Sequence, residues 1–198
     1  DDAFRCVAGC PDPGPVETVV AFDWGPLRLS LAPQPTGAAV GGRVLVHDPN
    51  APGLQRATEA RFYPVDAAFI VTARFEAEPG AAVVLATTRG LDKPFARAGV
   101  LHFTLGGESR TLLGYRSVGQ TEGPLLVPFT DPTNGAQTYP VGRYVEVEVD
   151  GAAAVLDFNR ATNPWCAYSP HFNCPVPPAA NALTVPITVG EQVFGEHS

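Results

Sequence analysis

The 198-residue sequence contains no methionine, only four cysteines, and 13 lysines and arginines against 20 acids. Each scarcity closes something off. With a net charge of −7 and no basic stripe, the chain lacks the clustered cations that nucleic-acid phosphates require and that anionic lipid surfaces attract. No apolar run approaches the ~20 residues of a spanning helix. The longest, such as Ala81 to Ala86, are strand-sized, so no transmembrane segment is expected. The chain begins at Asp1, without a translated start, and shows no signal peptide. We read it as a processed, mature protein.

The four cysteines fall in two close pairs, Cys6 with Cys10 and Cys166 with Cys174. Local pairing within each is the economical disulfide pattern, although spacing alone leaves the connectivity open. Closing the second loop would restrict the unfolded chain by about 2.5 kcal/mol. An even count suits an oxidising compartment. The competing reading is a metal site of Cys166, His171 and Cys174, but these gaps are wider than the tight C-x₂-C pairs of structural zinc. No metal or other cofactor is expected.

What is abundant is punctuation: 21 prolines and 20 glycines. Pro11, Pro13, Gly14 and Pro15 make residues 1–16 an extended N-terminal arm. Beyond it, a single domain over 17–198 alternates with a two-residue period. Val20 and Phe22 face Leu27, Leu29 and Leu31 across Asp23-Trp24-Gly25-Pro26, a hairpin. The clearest hairpin joins Val100–Leu105 to Ser109–Tyr115 through Gly106-Gly107, a pair suited to the positive φ angles of tight turns. From Arg143 to Asp150, charged residues alternate with Tyr144 and three valines, predicting one wet face and one buried face. Further strands are expected at Val155–Phe158 and Val185–Val189, with at most a turn of helix at Pro15–Phe22 and at Pro178–Leu183. The expectation is an all-β antiparallel sandwich or barrel of about ten to twelve strands with almost no helix.

Motifs with a fixed chemistry are absent. His47, His102, His171 and His197 are scattered, and there is no nucleophile elbow, phosphate loop or dinucleotide fingerprint. Two constellations remain. Asp131, Tyr139, Arg143, Asp157, Asn159 and Arg160 combine arginine forks with carboxylates, a set able to bind a carboxylate or sugar, or to lock the Pro-rich loops as an ion-pair and turn network. Asp157 and Asn159 are expected on one strand face, with Arg160 following Phe158 on the other. Trp165, Tyr168, His171 and Phe172 crowd the second cysteine loop, either as a stiff partner-binding surface or as a cover for the barrel end.

Ordered motifs from His47 onward carry a resemblance. They include Phe62-Tyr63-Pro64-Val65-Asp66, the Gly99–Tyr115 hairpin, Phe129-Thr130-Asp131, Gly142-Arg143-Tyr144, and Val155-Leu156-Asp157-Phe158-Asn159-Arg160. Asn163-Pro164-Trp165-Cys166 and Cys174-Pro175 follow. Over about residues 47–192 the chain resembles the bacterial and archaeal family catalogued as domain of unknown function 1684. Family-like sequences carry a Lys-Glu pair where this chain has Ala136-Gln137, and Glu and Arg where it has Ala180 and Ala182, so this is a diverged member.

We therefore expect an extracytoplasmic protein, in the periplasm or cell envelope or secreted. It would serve as a non-catalytic binding or structural accessory subunit, its partner another envelope protein or a small ligand or glycan. The alternative is a hydrolase-like enzyme using Asp131 or Asp157 as acid/base and Arg143 or Arg160 as oxyanion or carboxylate clamp. That alternative requires these side chains to gather in an open pocket.

Overall fold

The computed structural model describes residues 20–33, 42–51, 60–78, 80–91 and 93–195. The N-terminal arm, with Cys6 and Cys10, lies outside them. The chain divides into two compact units, 1–55 and 56–198. The span read as one domain thus parts after Gln55, because alternation marks strands without saying which strands share a sheet.

In the first unit β1 (Val20–Trp24), β2 (Leu27–Pro33) and β3 (Gly42–His47) form an antiparallel sheet in that order. The expected first hairpin is present, turning through Gly25 at φ +59°.

The second unit contains β4 (Ile70–Ala77), β5 (Ala82–Leu85), β6 (Lys93–Leu105), β7 (Glu108–Ser117), β8 (Leu125–Phe129), β9 (Arg143–Val147), β10 (Val149–Asp150) and β11 (Ala153–Asp157). They form one sheet in the order β10-β11-β4-β6-β7-β8-β9, with β5 paired to β6 off that path. The first and last strands of the order, β10 and β9, are successive stretches of chain parted only by Glu148. The sheet therefore bends round nearly into a barrel, which removes most of the exposed edge of an open sheet. The Gly106-Gly107 turn has φ of +64° and +80°, and Gly151 closes the β10–β11 hairpin at +58°.

Alternation decides which side chains fill the barrel. Leu101, Phe103 and Leu105 of β6 face Leu112 of β7, Val127 and Phe129 of β8, and Val145 and Val147 of β9 in one buried cluster. Burial of each such side chain stabilises by about 1.5–3 kcal/mol. Phe158 closes the cluster, edge-on to Phe129 with centroids 5.4 Å apart. A smaller cluster of Leu85, Phe95 and Tyr115 lies apart from it.

Ladder pairing between β7 and β8 is confined to Tyr115↔Leu126. Continuing that register sets Pro128 opposite Leu113, and proline has no N–H to give. The Asn181 amide fills the gap. Its Oδ1 accepts from Leu113 N at 2.8 Å, and its Nδ2 donates to Leu113 O at 3.0 Å and Pro128 O at 2.7 Å. Asn181 belongs to a short 3-10 turn over Ala179–Asn181, within one of the two stretches expected to offer a turn of helix; in the other, Val20 begins β1.

Two strand expectations are corrected. β11 stops at Asp157, whose side chain accepts from Asn159 N and caps a 3-10 turn over Phe158–Arg160. Residues 185–189 form no strand, yet Ile187 and Val189 are fully buried. Their backbone groups go to side chains rather than to a neighbouring strand, as the next section describes.

Candidate functional site

β9 runs with strict two-residue parity, so Arg143 shares the inward face with Val145 and Val147, while Tyr144 shares the outward face with Glu146. The expected grouping of Tyr144 with the valines is thereby corrected. Arg143 is a fully buried cation. Its Nη2 donates to Asp131 Oδ2 at 2.9 Å and to Ile187 O at 2.7 Å, and its Nη1 to Val189 O at 2.6 Å and Glu191 O at 3.2 Å. Nε has no acceptor among the described residues. Burial pulls the guanidinium below its ordinary pKa, and Asp131 opposes that shift. Asp131 is equally committed: its Oδ1 accepts from Thr133 N at 2.8 Å, Thr133 Oγ1 at 2.6 Å and Ile187 N at 3.3 Å. Both side chains have 0% exposure. The pair replaces a strand ladder, fastening residues 187–191 inside the barrel.

A second buried carboxylate, which sequence reasoning missed, continues this network. Glu191 accepts from Asn163 N at 2.7 Å through Oε2 and from the Tyr168 hydroxyl through Oε1. Burial and the neighbouring Glu191 hold the Tyr168 hydroxyl well above its usual pKa. Gly190 precedes Glu191 at φ +75°, where a Cβ would stand 2.7 Å from Ala161 O and 2.8 Å from Phe158 O. Glycine is required there both by backbone conformation and by space.

Of the six residues grouped from the sequence, Asp131 bonds to Arg143, and Asp157 bonds to Asn159. Asp157 and Asn159 meet through Asn159 Nδ2 to Asp157 Oδ1 at 2.9 Å, but within a turn rather than along a strand face. Asn159 also grips the backbone of Asp66, accepting from its N at 2.8 Å and donating to its O at 3.0 Å. Arg160 is exposed, whereas Phe158 is buried. The 3-10 turn breaks the parity that would have kept them on one face. Tyr139 is tied to the Asp131 turn through Asn134, whose Nδ2 donates to Tyr139 O at 2.9 Å and whose Oδ1 accepts from Asp131 N at 2.6 Å, while the Tyr139 hydroxyl donates to Cys166 Sγ at 3.6 Å.

Cys166 and Cys174 are free thiols and not the expected bridge. The Cys166 N–H donates to Cys174 Sγ at 3.2 Å. Sequence proximity brings the sulfurs together; whether they join depends on geometry and on the surrounding redox potential. Burial pushes the Cys174 thiol up to about 11, and a side-chain hydrogen bond with Cys166 adds to the shift. The hydroxyls of Tyr139 and Tyr144 are likewise raised, first by burial and then by the neighbouring thiols. His171 is exposed. Among the described residues no three His, Cys, Asp or Glu side chains converge as metal ligands, so the Cys166–His171–Cys174 triad is not assembled.

Around these thiols the loop from Trp165 to Val176 is fastened onto residues 86–91. Arg89 donates from N to Asn173 Oδ1 at 3.1 Å and from Nη1 to Pro170 O at 2.9 Å. Asn173 Nδ2 reaches Leu91 O at 2.9 Å, and Cys174 N reaches Thr88 Oγ1 at 3.1 Å. On this frame the Trp165 ring meets Phe172 edge-on at 5.1 Å and is 63% exposed. Leu91, also exposed, belongs to the same pair of loops. Tyr168 points inward instead, against Phe194 at 4.7 Å. The four aromatic-type residues therefore divide: Trp165 and His171 lie outside, Phe172 is half-buried and Tyr168 faces the core network.

The model of a family described as "Protein of unknown function (DUF1684)" matches residues 57–192. The chain belongs to this family. A DUF1684-like fold is also seen in the solution NMR structure of an uncharacterised protein from locus rrnAC0354 of Haloarcula marismortui. It is 36% identical, with a TM-score of 0.62, over 76% of this chain and 85% of that one. No curated protein matches. Ala136, Gln137, Ala180 and Ala182 are all exposed. No helix among the described residues is long and apolar enough to cross a membrane.

Proposed function

We propose that this DUF1684 member is an extracytoplasmic binding component that holds a partner protein of the cell envelope through the Trp165–Phe172 loop, without catalysis of its own. One observation carries the reading: a tryptophan 63% exposed, braced by Phe172, on a loop fixed by side-chain hydrogen bonds to residues 88–91. An exposed aromatic on a pre-ordered frame loses little entropy on docking and is the kind of residue that dominates interface energies. The hydrolase alternative has less support. Asp131 and Arg143, its principal candidates, are enclosed at 0% side-chain exposure, bonded to each other and to neighbouring backbone.

The test is chemical cross-linking in the native cell with wild type and Trp165→Ala, coupled to cell fractionation. The expectation is one envelope partner captured by wild type and lost in the variant. A protein found in the cytosol, or a cross-linked partner unaffected by the substitution, would defeat the proposal.

A further inference from the structure

β4, β6 and β7 lie side by side at the middle of the sheet. Their register sets Arg74 opposite His102 and His102 opposite Thr111, with Thr104 opposite Ser109. These side chains, with Arg110 and Phe103, line a groove of about 450 Å³. It lies toward the Leu105 end of β6; the loop 86–91 that supports Trp165 lies toward the Lys93 end. The groove is therefore distinct from the partner surface proposed above.

Its chemistry is unlike that of the chain as a whole. The protein carries −7, yet Arg74 and His102 stand here beside three hydroxyls, with Glu76 as their shared carboxylate, while Arg110, on the parity of the buried Leu112, turns to Thr184 and Leu105 O. Arg110 is held in place, with Nη1 on Thr184 Oγ1 at 2.8 Å, Nη2 on Glu108 at 2.8 Å and Nε on Leu105 O at 3.3 Å. Arg74 is only lightly engaged, donating from Nη2 to Glu76 Oε2 at 3.0 Å. The same carboxylate oxygen lies 3.3 Å from His102 Nε2, which makes no aligned hydrogen bond. A guanidinium has five N–H donors and suits a planar or tetrahedral oxyanion. Thr104, Ser109 and Thr111 both donate and accept, as sugar hydroxyls require. The volume falls within the range of small-molecule pockets.

We propose that this groove binds a small anionic sugar, one ring bearing a carboxylate or a phosphate. Arg74 and His102 would meet the oxyanion, and the Thr104, Ser109 and Thr111 hydroxyls would meet the ring. The experiment is a backbone-amide NMR titration of the full chain with glucuronate, glucose 6-phosphate, inorganic phosphate and glucose. At least one of the two charged sugars should give saturable shifts at the Thr104, Ser109 and Thr111 amides, and whichever binds tighter identifies the anion. Glucose should give none, and inorganic phosphate should bind more weakly than the preferred sugar. Arg74→Ala should weaken binding roughly tenfold, the equivalent of one charge-assisted contact. The Arg74 side chain is 60% exposed, so the fold should survive the change, as an unaltered melting temperature would confirm. Thr111→Val should weaken the sugars but spare inorganic phosphate. Absence of saturable shifts with both charged sugars, equal binding of glucose, or undiminished affinity in Arg74→Ala would overturn the proposal.

Discussion

Arg143 and Trp165 are placed against type. The arginine, a cation ordinarily left in water, is fully buried in the barrel, where its Nη groups meet three backbone carbonyls and Asp131. The tryptophan, a residue of the kind that fills cores, stands 63% exposed on a fastened loop. Inside, a polar pair substitutes for missing strand pairing: residues 187–189 lie in no strand, and the guanidinium with its carboxylate meets Ile187 N, Ile187 O and Val189 O. Outside, hydrogen bonds from Arg89 and Asn173 hold an apolar surface that the fold does not cover. The first arrangement fills the interior; the second leaves an aromatic ring in solvent.

The sharpest way to break this comparison is to remove one half of the buried pair. Asp131→Ala leaves an uncompensated cation in the core and should destabilise by about 3–5 kcal/mol, read as a lower urea midpoint. If the loss resembles that of the exposed Arg160→Ala, within about 0.5 kcal/mol, the buried network has no structural role. Next in size is Asn181→Ala, which strands backbone groups at Leu113 and Pro128 and should lower stability by about 2–3 kcal/mol. Hydrogen exchange should accelerate at the Leu113 amide before it does elsewhere in β7. Gly190→Ala, forced into positive φ and against two carbonyl oxygens, should cost about 1–3 kcal/mol; an unaltered melting temperature would show that the C-terminal segment is not held as described.

A smaller effect follows from the thiols. Cys174 keeps its proton up to about 11 in the folded chain, whereas an unfolded thiol releases it near ~8.5. The folded state therefore binds more protons in that window, and stability falls as pH rises through it. Under reducing conditions the melting temperature should drop from about pH 8.5 toward 11, and less steeply in Cys174→Ala. The raised tyrosines Tyr139, Tyr144 and Tyr168 act with the same sign at higher pH. Trp165→Ala should change stability least, by less than about 0.5 kcal/mol, while abolishing capture of the envelope partner. A large loss of stability there would make the ring a structural cover instead.

Much of the fold was legible because hairpins announce themselves locally. Gly106-Gly107 and Asp150-Gly151 needed no tertiary information, since only glycine tolerates those φ angles cheaply. The buried arginine was also legible, had parity been followed strictly: Arg143 occupies the valine face two residues before Val145. The split of the Asp131–Arg160 set was not, because a 3-10 turn after Asp157 resets which residues share a face. Glu191 gave no signal, since it stands in no pattern of its own. Asn163 was visible as part of a motif, but its task depends on Glu191, far away in sequence, as that of Asn181 depends on Pro128.

By itself the sequence determined that this chain forms short antiparallel strands broken at glycine and proline. Alternation and φ restriction act between neighbours a few residues apart, and nothing distant is needed to impose them. Only the tertiary structure decided that the strands part into two units, that the larger sheet curls nearly shut, and that its polar residues serve the interior. Those outcomes depend on which surfaces meet, and burial turns the same aspartate and arginine from a potential ligand clamp into an internal tie.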